Sequence, residues 1–115
     1  MMDFEKLIVY QKSKSFSNEI WERIIKKDLA DKVLKDQLRR ASTSITLNIA
    51  EGCSRFSKAD RRNFYVIARG SAYECIAILD LLKNSEMIEQ KLYDNFYSAG
   101  MEICKMLYGL EKTLK

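Results

Sequence analysis

The sequence predicts an all-α protein, an antiparallel up-down-up-down four-helix bundle. The chain contains no proline and only four glycines, so little would interrupt a helix. The β-branched alternation that is typical of strands is missing. Apolar residues instead recur at spacings of three and four, the pattern of one buried helical face. A length of 115 residues fits one such domain, covering residues 1–115.

Four consecutive segments show this helical spacing. The predicted helices cover residues 3–27, 31–53, 58–83 and 88–114. Their predicted buried faces are, in that order, Val9, Phe16, Ile20 and Ile24; Leu34, Leu38, Ala41, Ile45, Ile49 and Gly52; Phe64, Ile67, Ala68, Ser71, Cys75, Ile78, Leu79 and Leu82; and Leu92, Phe96, Ala99, Ile103, Met106, Leu107, Leu110 and Leu114.

Local signals mark where these helices begin and end. Asp28 or Asp31 is available as the N-cap of the second helix, and Gly52 stands where a C-terminal glycine would end it. Ser57 to Asp60 resembles a capping box that opens the third helix. Because all the connections are short, successive helices are expected to be antiparallel neighbours.

The composition argues against an enzyme. Histidine is absent, which removes the commonest catalytic base and the commonest transition-metal ligand. The three cysteines Cys53, Cys75 and Cys104 are isolated from one another, so we expect reduced, mostly buried thiols. No catalytic residue, metal or cofactor is predicted. The apolar runs are too short for a membrane-spanning helix or a signal peptide, so a cytoplasmic location is expected.

The net charge of +4 is concentrated in one part of the chain. Between Gly52 and Gly70 there are five basic residues and one acidic residue, whereas the rest of the chain is balanced at 15 of each. The basic residues are Arg55, Lys58, Arg61, Arg62 and Arg69. Such a cluster suits phosphate groups and makes these residues candidates for nucleic-acid binding. The alternative is a solvated, arginine-rich start of a helix.

Polar residues follow one flank of the second and third helices, beside the predicted core. We call them the polar seam: Arg39, Arg40, Ser44, Asn48, Glu51, Ser71 and Glu74. Helical spacing predicts one ion pair from Glu74 to Arg39 or Arg40, with Arg40 opposite Ser71, and a second from Glu51 to Arg55 or Arg62. The seam either covers the core and fixes helix register, or it also supports the arginines of the turn in binding phosphate.

The third helix carries a second face away from its core stripe, formed by Val66, Gly70, Tyr73 and Ala77. A glycine inside a helix costs about 1 kcal/mol, and the close approach of another backbone would explain it. Together with Trp21, Tyr93 and Tyr97, this face indicates contact with another subunit. The alternative is that Gly70 admits a neighbouring helix of the same chain.

Three segments, LIVYQKSKSF, QLRRASTSITLNIAEGCSR and NFYVIARGSAYE, resemble the four-helix bundle proteins related to those encoded in bacterial 23S rRNA intervening sequences. A more distant likeness is to the accessory variability determinant of diversity-generating retroelements. The resemblance implies a left-turning bundle, a ring-like homopentamer and a nucleic-acid-binding role. The connection KKDLADK departs from the family pattern, since it lacks the proline often found there.

These observations favour a non-enzymatic, oligomeric bundle that binds nucleic acid, with RNA ahead of DNA, through the arginines near the second turn. Many weak phosphate contacts, repeated around a ring of subunits, would add up through avidity. The alternative is a protein-interaction scaffold whose basic turn binds an acidic protein partner.

Overall fold

The structure is a computed structural model that describes residues 2–27 and 31–115. Four long helices form the bundle: α1 (Ile8–Ile20), α2 (Lys32–Cys53), α3 (Lys58–Asn84) and α4 (Gln90–Thr113). A short 3₁₀ turn, Asp3–Lys6, precedes α1, and a π-helical segment, Trp21–Ile25, follows it. The described residues contain no strand. The predicted all-α class is therefore confirmed.

Contacts between side chains show that neighbouring helices run antiparallel. Ser13 and Ser17 of α1 contact Thr46 and Ser42 of α2, so one residue number rises as the other falls. The α3 and α4 pair behaves in the same way, with Arg69 bound to Glu111 and Lys83 over the ring of Tyr93. Helix α1 also packs against α4, where the rings of Phe16 and Phe96 meet edge to face with centroids 5.8 Å apart. The up-down-up-down order follows, and the left-handed sense stays a prediction.

The core runs along the axis of the bundle and takes residues from every helix. Its fully buried members include Ile20, Leu38, Ile49, Leu79 and Leu107. Each aliphatic side chain of this kind contributes about 1.5 to 3 kcal/mol by leaving water. Burial of this stripe is what holds the four helices, and so their connecting turns, in place.

The prediction of one continuous first helix over residues 3–27 is wrong. Leu7 is extended, with φ −71° and ψ 128°, and separates the 3₁₀ turn from α1. The Gln11 side chain crosses this break and donates to the Glu5 carbonyl oxygen at 3.0 Å. Farther along, Ile20 and Ile24 are both buried. Four positions apart, these two residues share one face of the helix, so the core stripe of α1 continues into the π-helical segment.

The predicted core stripes of α3 and α4 are mostly buried and differ from the observed ones at their edges. Ile67 and Ala99 are exposed, whereas Tyr65, Ile76 and Gly100 are buried. A methyl group at Gly100 would lie 3.0 Å from Ile76 Cδ1, so the glycine lets α3 and α4 approach closely. Apolar spacing alone does not separate a residue at the edge of a stripe from one at its centre.

The ends of α2 and α3 use specific caps. Asp31 caps α2 by accepting the Leu34 N–H at 3.0 Å, while the alternative N-cap, Asp28, lies outside the described residues. The C-terminal role predicted for Gly52 is wrong, since α2 continues through it to Cys53. At the end of α3, the Glu86 N–H donates to the Lys83 carbonyl and the Met87 N–H to the Leu82 carbonyl. This is a Schellman motif with glutamate, at φ 60°, where glycine is usual.

Candidate nucleic-acid interface

The turn between α2 and α3, together with the first turn of α3, forms what we call the basic corner, residues 54–62. Helix α2 ends at Cys53, and Ser57 begins the next helix by accepting the Asp60 N–H on its side-chain oxygen at 3.0 Å. Only residues 54 to 57 therefore connect α2 and α3. A connection this short fixes the positions of the side chains that it carries.

Arg61 of the basic corner braces the turn. Its Nε donates to the carbonyl oxygen of Arg55 at 2.8 Å, and one terminal nitrogen donates to the carbonyl oxygen of Cys53 at 3.3 Å. The last carbonyls of a helix lack hydrogen-bond partners within the helix. A basic side chain there also interacts favourably with the negative end of the helix dipole. Arg61 thus contributes to the structure of the corner as well as to its charge.

Arg55 is held in place from two sides. Its guanidinium lies 3.0 Å from the Glu51 carboxylate and 4.8 Å from the ring centroid of Phe64. The predicted ion pair from Glu51 to Arg55 therefore forms. This contact offsets part of the charge of Arg55 and sets the direction of its side chain, although an exposed pair of this kind adds at most about 1 kcal/mol of stability.

Lys58 and Arg62 are the cations of the basic corner that make no ion pair or side-chain hydrogen bond with any residue in the described ranges 2–27 and 31–115. Both are exposed. They stand four positions apart in the first turns of α3, so they share one face of that helix about 6 Å apart along its axis. Asp60 is the acidic residue beside them.

Arg69 lies away from the other four predicted nucleic-acid contacts. It follows Lys58 by eleven residues, which is about 16 Å along α3. Its Nε and a terminal nitrogen donate to the two oxygens of Glu111 on α4, at 2.7 and 2.9 Å. Glu111 is only 4% exposed, and hydrogen bonding to its carboxylate raises the pKa of Arg69. The charge of Arg69 is therefore committed to joining α3 and α4.

Part of the polar seam forms a small network of hydrogen bonds. The hydroxyl oxygens of Ser44 and Ser71 are 2.9 Å apart and link α2 to α3. Asn48 donates its amide to the carbonyl and the hydroxyl oxygen of Ser44, at 2.8 and 3.0 Å. Ser71 thus stands level with Ser44, one helical turn from its predicted place opposite Arg40. The network fixes the register of the two helices that carry the basic corner.

The predicted ion pair from Glu74 to Arg39 or Arg40 is wrong, since none of these residues takes part in an ion pair within the described part of the chain. Arg39 faces α1 instead, with its guanidinium 4.5 Å from the ring centroid of Trp21. Arg40 and Glu74 are both exposed. Water solvates exposed charges well, so the attraction between them is weak. It is too weak to pair these residues when α2 and α3 pack one helical turn away from the predicted register.

Gly52 and Tyr65 pack closely just below the basic corner. A methyl group on Gly52 would lie 2.8 Å from Tyr65 Cε1. The Tyr65 hydroxyl lies 3.4 Å from the Cys53 sulfur, and burial, followed by this contact, raises the pKa of Tyr65 well above its ordinary value. The tyrosine is therefore a neutral support beneath the turn.

The second face of α3 is largely exposed in the described part of the chain. Val66, Tyr73 and Leu81 are 37%, 49% and 52% exposed, and Ile67 lies beside them. Among residues 2–27 and 31–115, no atom of another helix lies within 4 Å of a methyl group placed on Gly70. The alternative in which Gly70 admits a neighbouring helix of its own chain is therefore wrong. We call this surface the α3 outer face, and it is formed by Val66, Ile67, Gly70, Tyr73, Ala77 and Leu81.

Sequence reasoning missed two polar features that join helices. Ser13 is fully buried, donates to the Tyr10 carbonyl at 2.8 Å and accepts from Thr46 at 3.1 Å. Glu111 continues the buried stripe of α4 four residues after Leu107. This position could have predicted an ion pair, since a carboxylate among buried residues needs a basic partner on a facing helix.

The fold and the basic corner together define an α-helical bundle protein with a cationic turn at one end. In the described residues no helix is both long and apolar enough to cross a membrane, and no three acidic, cysteine or histidine side chains form a group able to hold a metal ion.

Comparisons with known proteins identify the family. The family described as 23S rRNA-intervening sequence protein matches residues 5–109, and the chain belongs to that family. A solved structure from Bacteroides thetaiotaomicron, a protein with unknown function from the S23 ribosomal protein family, is similar at 30% sequence identity with a TM-score of 0.84. The match covers 91% of this chain and 99% of that one. No curated protein matches the sequence.

Proposed function

We propose that this protein is a non-enzymatic, self-associating helical bundle that binds RNA through its basic corner. The observation that carries the proposal is the pair of exposed cations, Lys58 and Arg62, on one face of α3 without an acidic partner in the described ranges. Since no carboxylate of the described residues pairs with these exposed cations, they are available to contact phosphate groups. The braced Arg55 and Arg61 add two further guanidinium groups whose positions are already fixed.

The end of the bundle that holds the basic corner gains further charge from the neighbouring helices. Because α4 runs antiparallel to α3, its last turn, which carries Lys112, lies toward this end of the bundle, level with Arg69. The 3₁₀ turn before α1 brings Lys6 to the same end, where it lines a cleft together with Thr113. These lysines broaden the surface over which a phosphate backbone could run. Phosphate contacts of this kind confer affinity without reading sequence.

Self-association through the α3 outer face supplies the avidity that such weak contacts need. Its exposed apolar side chains would leave water in an assembly, and the open space at Gly70 allows a second copy to come close. A pentamer is the number of subunits that the family resemblance implies. Several basic corners on one assembly would bind a single RNA together.

Equilibrium binding tests the RNA proposal. Fluorescence polarisation would compare the wild type with a Lys58→Gln, Arg62→Gln variant, using a labelled RNA of random sequence at 50 and 200 mM salt. We expect salt-sensitive binding that the double substitution weakens at least tenfold. The matched control, Lys91→Gln with Lys105→Gln, removes the same charge from exposed sites on α4 and should bind within about twofold of the wild type. Equal losses in both variants would reject the corner as the site.

The same assay separates the alternative function. A scaffold that binds an acidic protein would bind heparin and an acidic polypeptide as tightly as RNA.

Light scattering tests the assembly and should show that Tyr73→Glu with Leu81→Glu lowers the oligomer mass. The control Ile8→Glu, an exposed apolar residue on α1, should leave the mass unchanged. A wild-type protein that is monomeric at all concentrations would contradict self-association.

A further inference from the structure

Phe56, at the tip of the basic corner, is the most exposed large apolar residue of the described chain, at 103% of a reference side chain. The other two aromatic residues of this region are covered by the protein itself and are not available to a ligand. Phe64 lies beneath the guanidinium of Arg55, and Tyr65 is 4% exposed. Leaving a phenylalanine ring in water forgoes the favourable transfer that burial would give. Nothing in the bundle's own packing places it there.

The backbone on both sides of Phe56 is anchored. The Arg55 N–H donates to the Gly52 carbonyl at 3.2 Å, and the Arg55 carbonyl accepts from Arg61. On the other side, the Ser57 side chain accepts the Asp60 N–H. The ring therefore projects from a fixed turn. Only its side-chain rotation would be lost on binding, which keeps the entropic cost of a contact small.

Cations lie on both sides of the ring in the chain. Arg55 precedes it, and Lys58 and Arg62 follow on the adjoining face of α3. An aromatic face next to positive side chains is the combination with which proteins bind single-stranded nucleic acid, because bases stack on the ring while phosphates meet the cations. In a duplex each base is already stacked between its neighbours, so its faces are not available to a side chain.

We propose that Phe56 is a stacking platform for an unpaired base, so that the basic corner selects single-stranded RNA over duplex RNA. This inference rests on the RNA-binding function proposed above and names the class of RNA that it takes. An anionic membrane is the other partner that an exposed ring among cations suggests. The neighbours of the ring favour RNA, since Ser54, Ser57 and Lys58 are polar, and a membrane-binding surface needs a broad apolar face.

The test compares a single-stranded RNA with a hairpin duplex of the same composition, using the wild type, Phe56→Ala, Phe56→Leu and Phe56→Trp. Phe56→Ala should weaken single-strand binding at least fivefold, as expected for one lost base stack, and change duplex binding by less than twofold. Phe56→Leu should lose as much as alanine, because it is apolar but has no π face, whereas Phe56→Trp should retain affinity. Leu47→Ala, an exposed apolar truncation elsewhere on α2, is the matched control and should bind as the wild type does.

The possible failures are distinct. If single-strand binding is salt-sensitive and depends on Lys58 and Arg62 but not on Phe56, the stacking proposal is overturned and the RNA-binding proposal stands. If the wild type binds neither RNA, both are overturned. Equal losses on both RNAs, or wild-type affinity for Phe56→Leu, would also reject base stacking. A tryptophan emission shift of Phe56→Trp, in a Trp21→Phe background, with phosphatidylserine vesicles but not with single-stranded RNA would show a membrane site instead.

Discussion

Two of the helical glycines, Gly52 and Gly70, should respond in opposite ways to substitution by alanine. In the middle of a helix, alanine gains about 1 kcal/mol over glycine, since it restricts the unfolded chain and favours the helix. At Gly70 no neighbouring side chain of the described residues lies within 4 Å of the added methyl group, so the full gain of about 1 kcal/mol should appear. For a chain of 115 residues, that corresponds to a rise in Tm of about 4 °C.

At Gly52 the added methyl group meets three atoms, at 2.8 and 3.1 Å on the Tyr65 ring and at 3.2 Å on Phe64 Cβ. The ring is buried and cannot move aside freely. Forcing an extra methyl group into a packed interior costs about 1 to 3 kcal/mol and can cost more for contacts this short. The cost exceeds the gain in helix propensity, and we expect Gly52→Ala to lower Tm by about 4 to 8 °C.

Thermal unfolding followed by circular dichroism measures both changes. The two variants and the wild type should be compared at a protein concentration where light scattering gives all three the same mass, because assembly shifts Tm by itself. If Gly52→Ala were as stable as Gly70→Ala, the space available for the added methyl group would not determine the effect of the substitution. At higher concentration Gly70→Ala should also associate less tightly than the wild type, since its methyl group would stand between two copies.

Three further predictions concern the turns and the buried groups. Glu111→Gln should lower the free energy of unfolding in urea by about 2 kcal/mol, because it breaks a charge-assisted pair with Arg69; a loss below 0.5 kcal/mol would contradict the role assigned to that pair. Glu86→Gly should raise the same free energy by about 1 kcal/mol, since glycine adopts positive φ without strain, and a decrease would contradict the Schellman geometry. Burial raises the pKa of Cys75 from 9.0 to about 12, so the folded state keeps this proton when the unfolded chain loses it. The stabilisation is complete below pH 9 and should fall by about 1.4 kcal/mol per pH unit from there to pH 12. Cys75→Ala should flatten this slope, and an unchanged slope would assign it to other groups.

The helical fold could be predicted because its signals are local. The absence of proline and the three-four spacing of residues such as Leu38, Ile45 and Ile49 do not depend on which helix lies opposite. The break at Leu7 escaped prediction, because an extended residue in an apolar segment carries no proline or glycine to mark it. The choice between Ile67 and Tyr65 as buried residues depends on the rotation of α3 against its neighbours, which no single helix specifies.

The candidate site was predicted in outline only. The basic cluster was visible in the sequence because five like charges fall within one stretch. The sequence does not show which of these cations lack a partner within the protein. Arg69 pairs with Glu111, which is distant in the chain, and Arg61 binds carbonyl groups at a helix end. The exposure of Phe56 likewise follows from the geometry of a four-residue connection, whereas a sequence pattern treats any phenylalanine as a candidate for the core.

Amide hydrogen exchange with and without single-stranded RNA tests the central claim most directly, since it reports which surface the RNA covers. RNA bound at the basic corner should slow exchange in residues 54–62 and leave residues 85–90, at the opposite end of the bundle, unchanged. Protection confined to the α3 outer face, with exchange at the corner unaltered, would contradict binding at the corner.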